Sequence, residues 1–425
     1  MKKNELETTS RLLLMALRKK LFLIITTIVM IIVLVIVSID YLTFRNYNTI
    51  FVVRDNVKVE KLSDYFPKLE GSIGDASIYI IGTQNQDEPS ALLLGGVHPN
   101  EPAGQMAVTL IMEQIDVLKG TIYIITESNR SAYTHSHPQE ATPMYYDINS
   151  SNWDGARTFK YGSRATNAID QWPISDVYAH SATGQKLSGT DTRNLNRSFP
   201  GNPNGNYTEQ VATAIINLIN ENNITLTLDF HEASPEYGTN NALIFHEKVD
   251  KTGISGIMDL SFGMYRSLDP RFAPIKMERS PTNLRGLTHR EIGDNTDSLP
   301  FLVESSNTTQ GRIRGVVTPE NIVSGEDKFY ERATALGILE VNHSKSVSLH
   351  ERTGRHVETF KILIDSYNMF AEFISTDPEI SKYQKGNFII DYHGMGFDTI
   401  LDNGVGHFLR DPDNPNVSYW ESDFS

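Results

Sequence analysis

The chain of 425 residues contains no cysteine. Disulfides, thiolate-held zinc and a cysteine nucleophile are thereby excluded. Positive charge is in short supply: 38 Lys and Arg face 52 Asp and Glu, a net charge of −14. The chain also lacks the HExxH run of many metallopeptidases, a phosphate-binding loop and a Ser-His-Asp constellation in usable context. "GMGFDTILDNGVG" near the end is glycine-rich. It does not follow a strand and open a helix as a dinucleotide site does. There is no internal repeat and no low-complexity tract. What remains is ordinary globular material, 39% apolar and 21% charged, long enough to bury a sizeable core.

One long apolar run stands out. "LFLIITTIVMIIVLVIVSI", residues 21–39, holds no charge. As a helix it spans about 28 Å, close to the hydrocarbon thickness of a bilayer. A cleaved signal peptide has a shorter apolar core, about 7–15 residues, and a small-residue cleavage site. Neither fits, so the run predicts an uncleaved anchor with the lipid bilayer as its partner. Lys2, Lys3, Arg11, Arg18, Lys19 and Lys20 precede it and Asp40 follows. The positive-inside asymmetry predicts a cytoplasmic N-terminus and residues 40–425 outside the cell membrane. That outer part keeps 32 of the 38 basic and 50 of the 52 acidic residues, a balance of −18. Such a surface argues against nucleic acid as a partner.

Beyond the anchor, apolar runs alternate with helical periodicity. "ASIYIIG" (76–82), "ALLLGGV" (91–97) and "GTIYIIT" (120–126) read as strands. "PAGQMAVTLIMEQI" (102–115) reads as the helix between two of them, which makes a βαβ unit of a largely parallel sheet. Residues 127–207 lack periodicity and are rich in Ser, Asn, Gly and Pro. A helix follows at 207–223, strands at 224–230 and 299–305, and an amphipathic helix at 354–374.

Four short stretches carry chemistry. His98 and Glu101 sit where the strand 91–97 hands over to a helix. At that spacing their side chains share a side of one turn, and both are zinc-ligand types. His231 ends the strand 224–230. In an open α/β sheet, ligands gather at the carboxyl ends of strands. Two histidines and one glutamate leave a fourth zinc position for water, the arrangement of a catalytic site. "NLNRSFPG" supplies Arg197, whose planar fork suits a carboxylate, with Asn196 beside it. Glu304 closes the strand 299–305, where a carboxylate can take a proton from a polarised water.

The stretches "GGVHPNEPAG", "NLNRSFPG", "LDFHEA" and "LVESS", in that order, resemble the zinc carboxypeptidase superfamily. Within it the chain looks most like the succinylglutamate desuccinylase/aspartoacylase branch. The likeness spans roughly residues 70–375, with 130 residues from Glu101 to His231 and 73 from there to Glu304. The resemblance implies an α/β fold: a three-layer sandwich around a mixed, mainly parallel eight-stranded sheet. It implies one Zn2+ held by His98, Glu101 and His231. Asn196 and Arg197 would hold a substrate carboxylate, and Glu304 would be the general base and acid. The reaction implied is hydrolysis of an amide next to a carboxylate-bearing residue, as in an N-acyl amino acid. The alternative is a metallocarboxypeptidase trimming C-terminal residues of peptides, cell-wall peptides included. A third reading is a surface domain that only binds peptides or a partner. The domain plan expected is a basic cytoplasmic segment (1–20), the anchor (21–39), a stalk (40–75), the hydrolase domain (76–375) and a C-terminal extension (376–425).

The chain departs from the family pattern in places. Asn194 stands where the family usually has Asp before Leu-Asn-Arg. The family's arginine near the scissile carbonyl has no clear match, Arg193 and Arg130 being candidates. Arg285 and Arg290, in "NLRGLTHREIGD", are candidates for recognising a second substrate carboxylate. His135 and His137 form an H-x-H pair in a loop, and His246, His289, His343 and His393 read as packing or surface residues.

Overall fold

The computed structural model describes residues 2–136, 142–237, 240–272, 275–311, 313–338 and 346–417. The chain forms two compact units, Met1–Asn48 and Thr49–Ser425.

The first unit is one helix, α1 (Lys2–Asn46). It outruns the apolar stretch at both ends because the flanking Lys, Arg, Glu and Leu residues are themselves good helix formers. Its apolar window has a mean hydropathy of 3.2 with none of it buried, so it is long and apolar enough to cross a membrane.

The second unit is built on an eight-stranded sheet: β1 (Lys58–Lys61), β2 (Ser77–Gly82), β3 (Ser90–Leu94), β4 (Thr121–Ile125), β5 (Leu226–Ala233), β6 (Ala242–Phe245), β7 (Lys276–Arg279) and β8 (Leu299–Ser306). Its order is β1-β2-β4-β3-β5-β8-β6-β7. The central run β4-β3-β5-β8 is parallel, and β6 runs antiparallel to β8. Helices α2 (Pro102–Gln114) and α5 (Leu349–Glu372) cover one face; α3 (Tyr207–Glu221) covers the other. A fourth helix, α4 (Thr288–Asn295), leads into β8. The mixed, mainly parallel sandwich expected from the sequence is therefore present.

Strand alternation assigns the faces. Leu226, Leu228 and Phe230 of β5 join the core beneath α2 and α5. Thr227, Asp229 and His231 then project to the opposite face, since successive side chains alternate. Residues 302 and 304 of β8 share that face, because Phe301 and Val303 join the same core as Phe230. Gly104 lets α2 lie close on β5: a Cβ there would sit 2.5 Å from the Phe230 carbonyl oxygen. That closeness brings Glu101, just ahead of α2, against the end of β5.

The segments at either end of the unit belong to the same body. Residues expected as a stalk supply β1, which pairs with β2. Residues expected as an irregular extension send Ile389–Asp391 into an antiparallel pair with Asp116–Lys119. They also bury Phe397 and Ile400, and Arg410 donates from its backbone N–H to Glu113 Oε2 at 3.0 Å. A three-residue strand leaves too little periodicity to be read beforehand. The stretch 127–207 holds two hairpins, Tyr145–Asn149 with Ala156–Lys160 and Val177–Ala179 with Lys186–Ser188.

Candidate metal centre and adjoining cavity

His98, Glu101 and His231 converge. His98 lies in the turn after β3, Glu101 is the N-cap of α2, and His231 is the sixth residue of β5. Their donor atoms lie within 4.8 Å of one another and all three side chains are buried. His98 Nδ1 is 3.0 Å from Glu101 Oε1, and His231 Nδ1 is 2.9 Å from Glu101 Oε2. The two Nδ1 atoms are 3.1 Å apart.

The outer nitrogens fix the ring tautomers. His98 Nε2 donates to Asn194 Oδ1 at 2.9 Å, and His231 Nε2 donates to Asp229 Oδ2 at 2.7 Å. With Nε2 so engaged, each ring in its neutral form would aim the Nδ1 lone pair at the shared point. Outer partners of this kind are what metal-ligating histidines carry. Burial holds His98 down at about 4, so it stays neutral. Burial alone would do the same to His231, but Asp229 and Glu101 outweigh it and raise its pKa. Burial likewise opposes the charged form of Glu101, and His98 and His231 overcome it, keeping the carboxylate ionised. Two imidazole nitrogens and one carboxylate, each oriented from behind, fit a divalent cation.

Glu304 stands beside this cluster because β5 and β8 are in register, His231 opposite Glu304. Its Oε2 is buried without a hydrogen-bond partner. Burial pushes its carboxyl up to about 8, with Glu101 and Asp229 adding to the rise and His231 and Arg164 opposing it. A carboxyl that titrates near neutrality can both accept and return a proton.

The cluster opens into a cavity of about 550 Å³, lined by Glu101, Glu304, Arg164, Arg197, Arg314 and Tyr237 among others. Arg197 enters from the turn Leu195–Arg197, its guanidinium pKa lowered by burial and then by Arg164. Asn196 faces the other way: its Oδ1 accepts from the backbone N–H of Thr288 at 2.9 Å. Arg164 Nη1 lies 3.1 Å from Glu101 Oε1, half-exposed at the cavity wall.

Sequence reasoning missed Arg164, which sits in an aperiodic loop that only folding brings near Glu101. It also missed Asp229, although two residues before His231 on a strand is the same face. The candidates Arg193 and Arg130 lie elsewhere. Arg193 donates to the Thr166 carbonyl, and Arg130 stands 3.7 Å from Glu127.

Arg285 and Arg290 do not line the cavity. Arg285 pairs with Glu291 and Asp294, both at 2.9 Å, and Arg290 with Glu247 at 2.6 Å. These arginines neutralise the carboxylates of the second cluster of ligand-type residues, His246, Glu247 and Asp294, which reads as an ion-pair network. His135 joins neither cluster among the described residues. His289 is buried against Ser280, and His393 pairs with Asp116. His137 and His343 lie outside the described residues.

The other face of β5 is braced by charge. Glu232 accepts from the Ala103 backbone N–H at 3.0 Å and pairs with Arg352 of α5 at 2.5 Å, both side chains fully buried. Removing one partner strands the other's charge, at about 3–5 kcal/mol. Arg352→Met is therefore expected to lower the unfolding free energy by that much, read by urea denaturation.

No protein-family model matches the chain, and no curated protein matches it in sequence. Solved structures do. Apo cell shape determinant protein Csd4 from Helicobacter pylori aligns over 77% of this chain and 58% of its own, at 14% identity and a TM-score of 0.43. This chain thus spans less than two thirds of the Csd4 length. The succinylglutamate desuccinylase/aspartoacylase from Rhodobacter sphaeroides aligns over 63% of each chain, at 17% identity and a TM-score of 0.34. A putative carboxypeptidase A from Shewanella denitrificans aligns over 73% of this chain and 64% of its own, at 12% identity and a TM-score of 0.39.

Proposed function

We propose that this chain is a membrane-anchored, zinc-dependent hydrolase that cleaves an amide bond next to a carboxylate-bearing residue. One observation carries the reading: two imidazoles and a carboxylate converge beside Glu304, one of whose oxygens is buried without a partner, in a cavity with arginines on its wall. His98, Glu101 and His231 would hold Zn2+. Bound there, zinc supplies Lewis acidity, polarising the scissile carbonyl and acidifying water.

The chain's own groups do the rest. Arg197 holds the substrate carboxylate through its planar fork. Arg164, at the cavity wall beside Glu101, is placed to stabilise the oxyanion that forms at the carbonyl. Glu304 takes a proton from the attacking water and returns it to the departing amine. The anchor 21–39 spans the cell membrane, and the basic residues before it favour a catalytic unit on the outer side.

The leading substrate is an N-acyl amino acid. A second reading, release of C-terminal residues from peptides, is favoured by the cavity volume of about 550 Å³. That lies within the range that holds drug-sized ligands and leaves room for more than one residue. Amine release from a panel of N-acyl amino acids and a panel of peptides with free or amidated C-termini decides between them. Turnover on neither panel with zinc present contradicts the proposal.

Either way the carboxylate anchor should matter. Arg197→Ala removes a charge-assisted pair worth about 1.5–3 kcal/mol. The expected outcome is kcat/KM lower by roughly 10- to 150-fold, mostly through KM. The loss should vanish on substrates whose carboxylate is amidated.

A further inference from the structure

The start of α4 touches both halves of the site. Thr288 is its first residue and is fully buried. Its hydroxyl donates to Asp229 Oδ2 at 2.5 Å, the same oxygen that accepts from His231 Nε2. Asn196 Oδ1 accepts from the Thr288 backbone N–H at 2.9 Å and lies 3.1 Å from the hydroxyl, whose single proton goes to the nearer Asp229 oxygen. Asp229 Oδ1 is buried without a partner, so Oδ2 alone carries the carboxylate's hydrogen bonds. One continuous path therefore runs from His231 through Asp229 and Thr288 to Asn196, the neighbour of Arg197.

The approach to Thr288 is shaped to fit. Gly286 has a φ of +82°, a region that favours glycine, and a Cβ there would collide with the Arg197 carbonyl. Its carbonyl accepts from the Phe199 backbone N–H, so the turn before α4 lies against the turn that carries Arg197.

We infer that Thr288 is a positioning residue: its hydroxyl sets Asp229, Asp229 sets the ring of His231, and its backbone ties that ligand to the Arg197 turn. The inference rests on the metal site proposed above. Nothing in the sequence motifs marks Thr288, which stands 57 residues beyond His231. With only one donor left on Oδ2, Asp229 can tilt, and the His231 lone pair loses its aim. Loss of such an outer partner lowers metal affinity by about 10- to 100-fold. Loss of the hydroxyl also removes its 3.1 Å contact with Asn196 Oδ1, but the shorter backbone N–H bond to that oxygen survives any side-chain change, so the Arg197 turn should keep its place.

The test uses the full chain in detergent, with zinc affinity measured by competition against a chromophoric chelator. Thr288→Val, close in shape but without the hydroxyl, is expected to weaken zinc by about 10- to 100-fold. Its KM at saturating zinc should stay near that of the unchanged chain. Thr288→Ser should restore the affinity. Thr288→Ala serves in place of Val if that variant does not fold, with the same expectation. The inference is overturned if the hydroxyl-free variant binds zinc as tightly as the unchanged chain. It is also overturned if Ser is as weak as Val, which would point to methyl packing. An unchanged chain that binds no zinc refutes the metal site itself, a result distinct from failure of Thr288.

Discussion

Glu304→Gln should bind zinc as the unchanged chain does and hydrolyse its substrate about 10²–10⁴-fold more slowly, the usual worth of a positioned acid–base group. Gln keeps the volume and the hydrogen-bonding edge of the side chain but cannot take a proton. Two carboxylates besides the ligand Glu101 line the cavity, so the choice between them needs an argument. Glu232 also lines the cavity, but it is tied to the Ala103 N–H and to Arg352 on the far side of β5. Glu304 has a buried oxygen with no partner and a pKa raised by burial to about 8. A free oxygen and a near-neutral pKa are the properties proton transfer requires. The check is kcat from amine release at saturating substrate, alongside zinc content. Full turnover in the variant would assign the base elsewhere.

The second large effect concerns the ligands. His231→Ala should lose the bound cation and, with it, hydrolysis. The two outcomes are linked because a buried Glu101 and His98 alone offer two donors, while a catalytic zinc site uses three protein ligands. A chelator should act on the unchanged chain in the same direction. At zinc a thousandfold above its dissociation constant, binding to the folded state alone adds about 4 kcal/mol of stability. Chelation should remove that increment, seen as a fall in the thermal midpoint of the unchanged chain. His231→Ala should show a lower midpoint that chelator no longer moves. A chelator-sensitive midpoint in the variant would place the metal elsewhere, the His246, Glu247 and Asp294 cluster being the first place to look.

The parts of the site legible in the sequence were those written into regular elements. His98 follows the apolar run "ALLLGGV", four residues past the end of the fully buried β3 at Leu94, where the first polar side chain marks the strand's carboxyl edge. "LTLDFHE" alternates, so its register shows which residues share a face with His231. Glu304 was legible for the same reason, as the end of an apolar strand.

Arg164 was not, because its place depends on how an aperiodic loop folds back toward the start of α2. The ion pairs of Arg285 and Arg290 are equally hard to see in sequence, because an arginine in an ion-pair helix looks like one that awaits a ligand. Glu291 and Asp294 lie on α4 itself, close in sequence to both arginines, while Glu247 stands 43 residues before Arg290 and is brought to it by packing. The pairing of the C-terminal extension is not legible in sequence because Ile389–Asp391 is too short to show a period. The groups that extension locks to, Asp116 and Glu113, lie 275 residues before Asp391 and 297 before Arg410, respectively.

The most direct measurement is anomalous X-ray scattering at the zinc edge from crystals of the zinc-loaded chain. The account predicts one strong peak in contact with His98 Nδ1, His231 Nδ1 and the Glu101 carboxylate, with the Glu304 carboxylate nearby. No peak there at saturating zinc, or a peak confined to His246, Glu247 and Asp294, would contradict it.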